Sequence, residues 1–95
     1  MRERDVENYL VTQVKRRGGE VRKVKWIGRK SAPDRLVMLP DRGCYWVELK
    51  APGKRATFPS NAHERAQKRE HDRMRAMGQE VFVIDDYSGV DFILI

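Results

Sequence analysis

The spacing of hydrophobic and polar positions divides the chain into helical and extended segments. Near the N-terminus, apolar residues recur at helical spacing up to Val14, and Gly18-Gly19 follows. This spacing predicts a helix over residues 3–17 that ends at the glycine pair. Residues 20–27 alternate in part and are rich in β-branched residues, which predicts a first strand. In that strand Lys23 and Lys25 share one face.

Residues 33–50 predict a β-hairpin around which the other elements are arranged. An apolar run at 36–39 and a second run at 44–50 are separated by Pro40-Asp41-Arg42-Gly43, a composition typical of a tight turn. Because side chains on a strand alternate between its two faces, Glu48 and Lys50 point the same way and Leu49 points to the other side.

Asp34 begins the first hairpin strand, from which it can reach across the end of the hairpin toward Glu48 and Lys50. Two carboxylates and one ammonium then converge at one edge of the sheet, which suits a divalent metal, an attacking water and a phosphate. The competing interpretation is ordinary, since Glu-x-Lys pairs are common on exposed strands and Pro33-Asp34 is a common strand entry. The apolar character of the rest of the strand favours the functional interpretation.

The second half of the chain predicts a long loop, a helix and a strand. The helix covers 61–77, with Asn61 and Glu64 as a capping-box pair and Gly78 as the stop. Phe58, in the loop at 51–60, is expected to anchor that loop rather than to contact bases. The predicted apolar face of the helix is thin and consists of Ala62, Ala66, Met74, Ala76 and Met77, with Gln67 beside it.

The remaining segments complete an α/β fold in one domain spanning residues 1–95. Residues 80–85 predict a strand, 86–89 a turn, and 91–95 a further strand or an apolar tail. The order αβββαβ combines an antiparallel meander with a parallel crossover. The expected architecture is a small mixed β-sheet flanked by helices.

The charge balance makes nucleic acid the first partner to consider. The chain has 20 Lys and Arg residues against 14 Asp and Glu, a net charge of +6 and a pI of about 9.8, which favours polyanionic partners. Between Lys15 and Lys30 there are eight basic residues and one acidic residue, Glu20; the run is either a solvated face or a phosphate-binding surface. The residues predicted to contact nucleic acid are Lys23, Lys25, Arg29, Lys30, Lys54, Arg55 and Lys68.

Several other classes of protein and site are disfavoured. No stretch approaches the roughly 18 apolar residues of a spanning helix, and the N-terminus lacks the apolar segment of a signal peptide. One cysteine, Cys44, excludes an internal disulfide and a Cys-rich zinc site. Its strand position predicts a buried or half-buried side chain, and a reactive thiol remains an alternative. His63 and His71 lack cysteine partners, so a histidine-based metal site is not expected.

The order of elements, with Pro33-Asp34 and Glu48-Leu49-Lys50 in place, resembles the PD-(D/E)xK nuclease superfamily. Within it, the chain looks most like the VRR-NUC domain in its short, stand-alone phage or bacterial form, and the likeness covers essentially the whole chain. Ser31 departs from the pattern, because the family often has glycine two positions before the proline. The further matching features are Glu7 on a helix ending in Gly18-Gly19, Arg35-Leu36 after Pro33-Asp34, the run at 47–53, Gln67 and Gly78.

The resemblance implies a restriction-endonuclease-like core and a Mg²⁺- or Mn²⁺-dependent deoxyribonuclease. It implies that Asp34 and Glu48 bind the metal, with the Leu49 carbonyl as a further ligand. Lys50 is then expected to orient the water or offset charge at phosphorus. The resemblance also assigns Gln67 to support Lys50 or the phosphate, and Glu7 to bind the metal or its water, with Glu3 as the weaker alternative.

The resemblance further implies branched DNA, such as four-way (Holliday) junctions, as the substrate. Symmetric cleavage of a junction implies a homodimer, with expected seams at residues 92–95 and at the faces of Trp26 or Trp46. The expected location is the cytoplasm of a bacterium or of a phage-infected host. Two alternatives remain open: a non-catalytic basic nucleic-acid-binding module, which needs no divalent metal, and a nuclease acting on linear or flapped duplex DNA, which a comparison of substrates separates.

Overall fold

The computed structural model of the chain describes all 95 residues, as three helices and one four-stranded sheet. The strands lie in the order β1-β2-β3-β4; the first three pair antiparallel, and β3 pairs with β4 in parallel. The predicted mixed sheet flanked by helices is confirmed. The elements are α1 (Glu3–Arg16), β1 (Glu20–Lys23), β2 (Arg35–Leu39), β3 (Gly43–Leu49), α2 (Ala62–Ala76), β4 (Val81–Ile84) and α3 (Tyr87–Ile93).

Helix α1 packs one aliphatic stripe on the sheet and ends at a glycine pair. The residues of the stripe that face the sheet are completely buried, as the helical spacing predicts. Gly18 has a φ of +79°, a conformation that glycine adopts without strain. A Cβ on Gly19 would collide with the Met38 carbonyl oxygen. The pair therefore lets the chain leave the helix and run close beside β2.

The hydrophobic core lies between the sheet and the pair formed by α1 and α3. Leu49 belongs to this core, whereas Glu48 and Lys50 contact α2 on the opposite side of the sheet, as the strand alternation predicts. Each fully buried aliphatic side chain contributes about 1.5–3 kcal/mol. Eleven buried residues form this core: Val6, Leu10, Val14, Val37, Leu39, Val47, Leu49, Ile84, Val90, Ile93 and Leu94.

The C-terminal residues form a helix, so the strand or apolar tail expected at 91–95 is wrong. The Asp86 side chain accepts a hydrogen bond from the Gly89 N–H at 2.8 Å and caps α3, as N-cap aspartates do. Ser88 and Gly89 are typical turn residues, which is why the local sequence predicts a turn. The order of elements is therefore αβββαβα.

The α3 helix places apolar residues on both the core side and the solvent side. Ile93 and Leu94 are buried, whereas Phe92 and Ile95 are 67% and 85% exposed. The expected dimer seam at 92–95 is therefore half core and half surface.

Strand β1 ends at Lys23, four residues earlier than predicted. The Val24 N–H still donates to the Asp34 carbonyl oxygen at 2.8 Å. The chain then turns, and Trp26 packs on Trp46 with 5.1 Å between ring centroids. Lys25 consequently lies in the loop between β1 and β2 instead of sharing a strand face with Lys23.

Helix α2 buries a mainly polar face, which differs from the predicted apolar one. Met74 is buried as expected, but Met77 is 66% exposed. The other buried residues of the helix are Gln67, Glu70 and His71. This face meets charged groups of β3 and of the β1–β2 loop, so polar side chains find partners there.

Two surface features complete the description. Cys44 is exposed, not half-buried as predicted, because it lies near the outer end of β3, far from the buried part of that strand. None of the three helices combines the length and the apolar character needed to cross a bilayer.

Candidate active site

The two predicted carboxylates lie at one end of the sheet, Glu48 in β3 and Asp34 immediately before β2. Arg35 of β2 is paired with Val47 of β3, and the same register continued by one residue brings Asp34 opposite Glu48. Cross-strand partners lie on the same face of a sheet. Asp34 is exposed and Glu48 is 8% exposed, so one carboxylate meets solvent and the other is enclosed beneath α2.

Lys50 follows β3 on the same face, and its ammonium group is held by three neighbours. Nζ donates a hydrogen bond to Gln67 Oε1 at 2.7 Å and forms an ion pair with Glu64 Oε2 at 3.1 Å. It also lies 5.1 Å from the centroid of the Phe58 ring, a favourable cation–π distance. The structure thus brings the predicted pair Lys50 and Gln67 into direct contact.

Glu64 caps α2 and also binds Lys50, a role that the capping pattern does not predict. The Ser60 N–H and hydroxyl donate to Glu64 Oε1 at 2.9 and 2.8 Å. The side-chain half of the predicted capping box is therefore displaced from Asn61 to Ser60, although Asn61 Oδ1 still accepts from the Glu64 N–H. The hydrogen bonds from Ser60, followed by the one from Lys50, lower the pKa of Glu64 to about 2.

His71 is a buried residue of the site that sequence reasoning missed. It is completely buried, its Nε2 lies 3.3 Å from Glu48 Oε1, and its ring stacks on Phe58 at 5.7 Å. Its Nδ1 is buried without a hydrogen-bond partner. With the proton on Nε2, the imidazole donates to Glu48 and orients the carboxylate. The available signal was its position four residues after Gln67, on the same face of the helix.

Arg35 is the second missed residue, and it joins the two outer carboxylates. Its guanidinium contacts Glu7 Oε2 at 2.6 Å and Asp34 Oδ2 at 2.8 Å, although Arg35 is only 6% exposed. Burial lowers the pKa of Arg35, but the hydrogen bond to Glu7 and the charges of Asp34 and Glu7 outweigh burial and leave that pKa raised. The alternation of Arg35 with buried Val37 in β2 was a signal that this charge faces inward and needs a carboxylate.

Glu7 therefore approaches the site through Arg35. Its side chain is half-buried on α1, and its two contacts with Arg35 join α1 to the end of β2. Glu3 lies one turn earlier in α1 and is exposed.

Three of the predicted nucleic-acid residues line a groove beside Asp34. The groove has a volume of about 440 Å³, and Lys23, Lys25 and Arg29 lie in its wall together with Asp34. Arg29 also forms a bidentate pair with Glu70, with contacts of 2.6 and 3.2 Å. Its guanidinium thus braces the loop against α2, while its side chain remains about half exposed.

Two other predicted residues line a different groove, of about 660 Å³, along β4. Arg55 Nε donates to the Val83 carbonyl oxygen at 2.9 Å, and Lys68 pairs with Asp72 at 2.8 Å. Lys30 and Lys54 are exposed and line neither groove. The seven basic residues are therefore distributed over more than one surface.

The oxygen donors at the strand ends fit a small divalent cation. No three His, Cys, Asp or Glu side chains are grouped as the ligands of a metal would be, but Mg²⁺ commonly uses one or two protein carboxylates and keeps several waters. Asp34 and Glu48 supply such a pair. The single hydrogen-bond partner of the Glu48 carboxylate is His71, which leaves oxygen lone pairs for a cation.

The sheet order and flanking helices define a restriction-endonuclease-like fold, the class that the sequence motifs indicate. The chain is similar to a solved VRR_NUC domain, with a TM-score of 0.75 and 35% identity over 97% of this chain and 92% of that one. It is also 41% identical over 85 residues to "Putative nuclease p44" of Acyrthosiphon pisum secondary endosymbiont phage 1, across 90% of this chain and 84% of that protein. No protein-family model matches the chain. On this similarity, the chain belongs to the VRR-NUC family of nucleases.

Proposed function

We propose that this nuclease is a metal-dependent DNA endonuclease that hydrolyses phosphodiester bonds. The observation that carries the proposal is the fixed Lys50 ammonium, 2.7 Å from Gln67 Oε1 and two strand positions after Glu48. A held positive charge beside two carboxylates combines a cation site with stabilisation of charge on phosphoryl oxygens, and phosphodiester hydrolysis needs both.

Each site residue has a proposed task. Asp34, Glu48 and the Leu49 carbonyl are the groups that would hold Mg²⁺ or Mn²⁺, which supplies a Lewis acid when bound. Lys50 orients the attacking water and offsets developing charge, and Gln67 keeps its ammonium in place. His71 orients Glu48. Glu7 is proposed to act at the same end of the sheet, where it shares Arg35 with Asp34.

Cleavage assays with and without metal test the proposal. The purified protein is incubated with EDTA, Mg²⁺ or Mn²⁺ and with linear, flapped and four-way DNA, and products are expected only with metal. Asp34→Ala and Glu48→Ala should abolish cleavage and leave DNA binding largely intact, because neither residue contributes positive charge. Glu80→Ala, at an exposed carboxylate, is the matched control and should cut at the parent rate. Near-parent cleavage by Asp34→Ala or Glu48→Ala contradicts the assignment.

The second candidate is a non-catalytic module that binds nucleic acid through its basic surface. The ion pair between Asp34 and Arg35 at 2.8 Å favours it, because such a pair gives Asp34 a structural role. Metal-independent binding without cleavage of any substrate in the panel would support this candidate.

We also propose branched DNA, such as a four-way junction, as the substrate and a homodimer as the working species. One chain holds one Pro33-Asp34 and one Glu48-Leu49-Lys50, so paired incisions require a second copy, and two-fold pairing is the commonest assembly. Phe92 and Ile95 are the exposed part of the expected seam. Substituting both by Ser should reduce dimerisation in light scattering and reduce paired cleavage. A strict monomer that makes paired cuts contradicts the dimer.

DNA binding should weaken steeply with salt, because the basic residues displace counterions from the phosphates. Each phosphate contact contributes a slope of about −0.9 to the plot of log affinity against log salt, so four contacts give about −4. Fluorescence anisotropy with a labelled junction measures this slope. A DNA affinity that does not change with salt concentration would contradict the assignment of nucleic acid as the partner.

A further inference from the structure

The loop between β1 and β2 holds an isoleucine out into solvent. Ile27 is 94% exposed, more than any other large hydrophobic residue of the chain. Covering such a side chain is favourable, because apolar surface is removed from water. Single exposed hydrophobic residues are common on protein surfaces, so the surroundings of Ile27 decide its meaning.

The loop is braced on both sides of Ile27. Before it, Trp26 Nε1 donates to the Pro33 carbonyl oxygen at 2.8 Å, and the indole packs on Trp46. After it, Arg29 donates to both carboxylate oxygens of Glu70 on α2, and these hydrogen bonds lower the pKa of Glu70. Bidentate guanidinium–carboxylate pairs are directional. Ile27 therefore projects from a loop that is fixed to the sheet and to a helix.

The surroundings of Ile27 are basic and adjoin the proposed site. The groove of about 440 Å³ is lined by Trp26 and Arg29, which flank Ile27 in the loop, together with Lys23, Lys25 and Asp34. Phosphates bound in this groove next to Asp34 would place the nucleic acid against the loop that carries Ile27. A second copy of the chain is a less favourable partner for burying Ile27, because contact between two such basic loops would bring like charges together. The basic residues of segment 22–30, which has no acidic residue, are Arg22, Lys23, Lys25, Arg29 and Lys30.

We propose that Ile27 is an apolar wedge that enters a base step at the branch point of DNA bound in this groove. The proposal rests on the proposed function and deepens it by assigning a residue to substrate choice. Proteins that deform DNA insert aliphatic side chains between base steps, and the added contacts compensate for the lost stacking. Base pairs at a branch point have already lost continuous stacking on one side, so a wedge enters there at lower cost than in a continuous duplex. Ile27 thereby favours branched over linear DNA without reading sequence.

Binding without metal tests the wedge separately from cleavage. Four-way junctions and linear duplexes carry 2-aminopurine, whose emission rises on unstacking, at the branch point or at the equivalent linear position. In EDTA the parent should raise emission in the junction only. Ile27→Ala should abolish the rise and weaken junction binding by about tenfold, because part of the aliphatic side chain is lost, while linear binding stays unchanged.

Two further variants show whether the effect belongs to this position. Ile27→Leu keeps an aliphatic side chain and should retain most of the emission change. Met77→Ala removes another exposed hydrophobic side chain, at the end of α2, and should behave like the parent. Because Ile27 is almost fully exposed, its substitution by Ala should leave the thermal midpoint unchanged.

The outcomes separate the wedge from the nuclease. Parent-like emission and parent-like junction preference in Ile27→Ala overturn the wedge, and metal-dependent cleavage by the parent then still supports the proposed function. If emission depends on Ile27 but the protein cuts no DNA, the wedge is supported and the proposed nuclease function is contradicted. Equal emission changes in linear and branched DNA overturn the branch-point assignment. Loss of self-association without DNA in Ile27→Ala, with unchanged emission, assigns the residue to contact between copies and overturns the proposal.

Discussion

The two faces of the sheet are buried in different ways. The face beneath α1 and α3 is covered by aliphatic side chains, and its one buried charge, Arg35, is paired with Glu7 of α1 at the end of β2. The face beneath α2 encloses Glu48, Gln67, Glu70 and His71, and the Lys50 ammonium lies at its margin. Burial of apolar area stabilises the first face. On the second face, each buried polar group needs a partner, because leaving water without one is costly.

This difference separates the stabilisation of the fold from the assembly of the site. β3 serves both faces, since Leu49 enters the core while Glu48 and Lys50 point to α2. The polar face is also incomplete, because His71 Nδ1 has no hydrogen-bond partner. A buried polar atom left in this state indicates that the α2 face is not optimised for stability alone.

The largest effect on the polar face is expected for Lys50→Ala. Turnover should fall by about 10²–10³-fold, the usual cost of removing a group that stabilises charge in the transition state, while metal affinity changes little. Lys50→Arg should not restore the rate fully, because a planar guanidinium does not replace a compact ammonium. Arg42→Ala, at an exposed residue of the turn between β2 and β3, is the control for loss of charge. Single-turnover cleavage measures the rates. A fully active Lys50→Arg protein would show that only the positive charge at this position matters, not the compact ammonium.

His71→Leu should separate activity from stability. Cleavage should fall by about 10–100-fold, as is typical when a residue that orients a metal ligand is lost. The free energy of unfolding should change little, because removing the unpaired Nδ1 and leaving the enclosed Glu48 carboxylate without its hydrogen bond have opposite effects, each of about 1–3 kcal/mol. Leu10→Ala on the apolar face should behave in the opposite way, with a loss of about 2–5 kcal/mol in stability and a parent-like rate while folded. Denaturant unfolding and cleavage rates measured on both variants check this reversal.

Arg35→Met tests the connection between the two faces at the end of β2. The variant should lose about 1–3 kcal/mol, because Glu7 keeps a half-buried carboxylate without its partner. Adding Glu7→Gln should recover part of the loss, since the two residues are in contact and their effects are not additive. Urea unfolding of both single variants and the double variant provides the cycle. Strictly additive effects would show that the ion pair does not couple α1 to β2.

The smallest effect is expected for Glu64→Gln, and the difference in stability between parent and variant should disappear at acid pH. The pKa of Glu64 is about 2 in the folded chain, against an ordinary value of 4.5, so the unfolded chain binds more protons between these values. The contribution of Glu64 to stability is therefore fully present above about pH 4.5 and is lost as the pH falls through about 2. Glu64→Gln should lower stability at neutral pH and flatten the acid limb of the curve. Identical urea midpoints for parent and variant across this range would contradict the assignment.

The sequence by itself determined the elements whose signals are periodic and local. The stripe of α1, the hairpin, and the opposite directions of Leu49 and of the pair Glu48 and Lys50 follow from periods of 3.6 and 2 residues. The family motifs indicate the fold and the nuclease class, which the structural similarity confirms. The resemblance also assigned Gln67 to support Lys50 or the phosphate, and the side chains of Lys50 and Gln67 are in contact.

Only the tertiary structure decided which polar residues share an environment. His71 contacts Glu48, which is 23 residues away in the sequence, and Arg29 contacts Glu70, which is 41 residues away. Arg35 contacts both its neighbour Asp34 and Glu7, which is 28 residues away. A charged residue on a helix has the same local pattern whether it faces water or a buried partner. The buried face of α2 was therefore predicted from its few apolar residues, and this prediction was wrong because the face is mainly polar. The C-terminal helix was missed because Ser88-Gly89 is typical of a turn when considered alone. In the structure Asp86 caps this segment, and the apolar side chains of α3 pack in the core with those of α1, so the segment is helical.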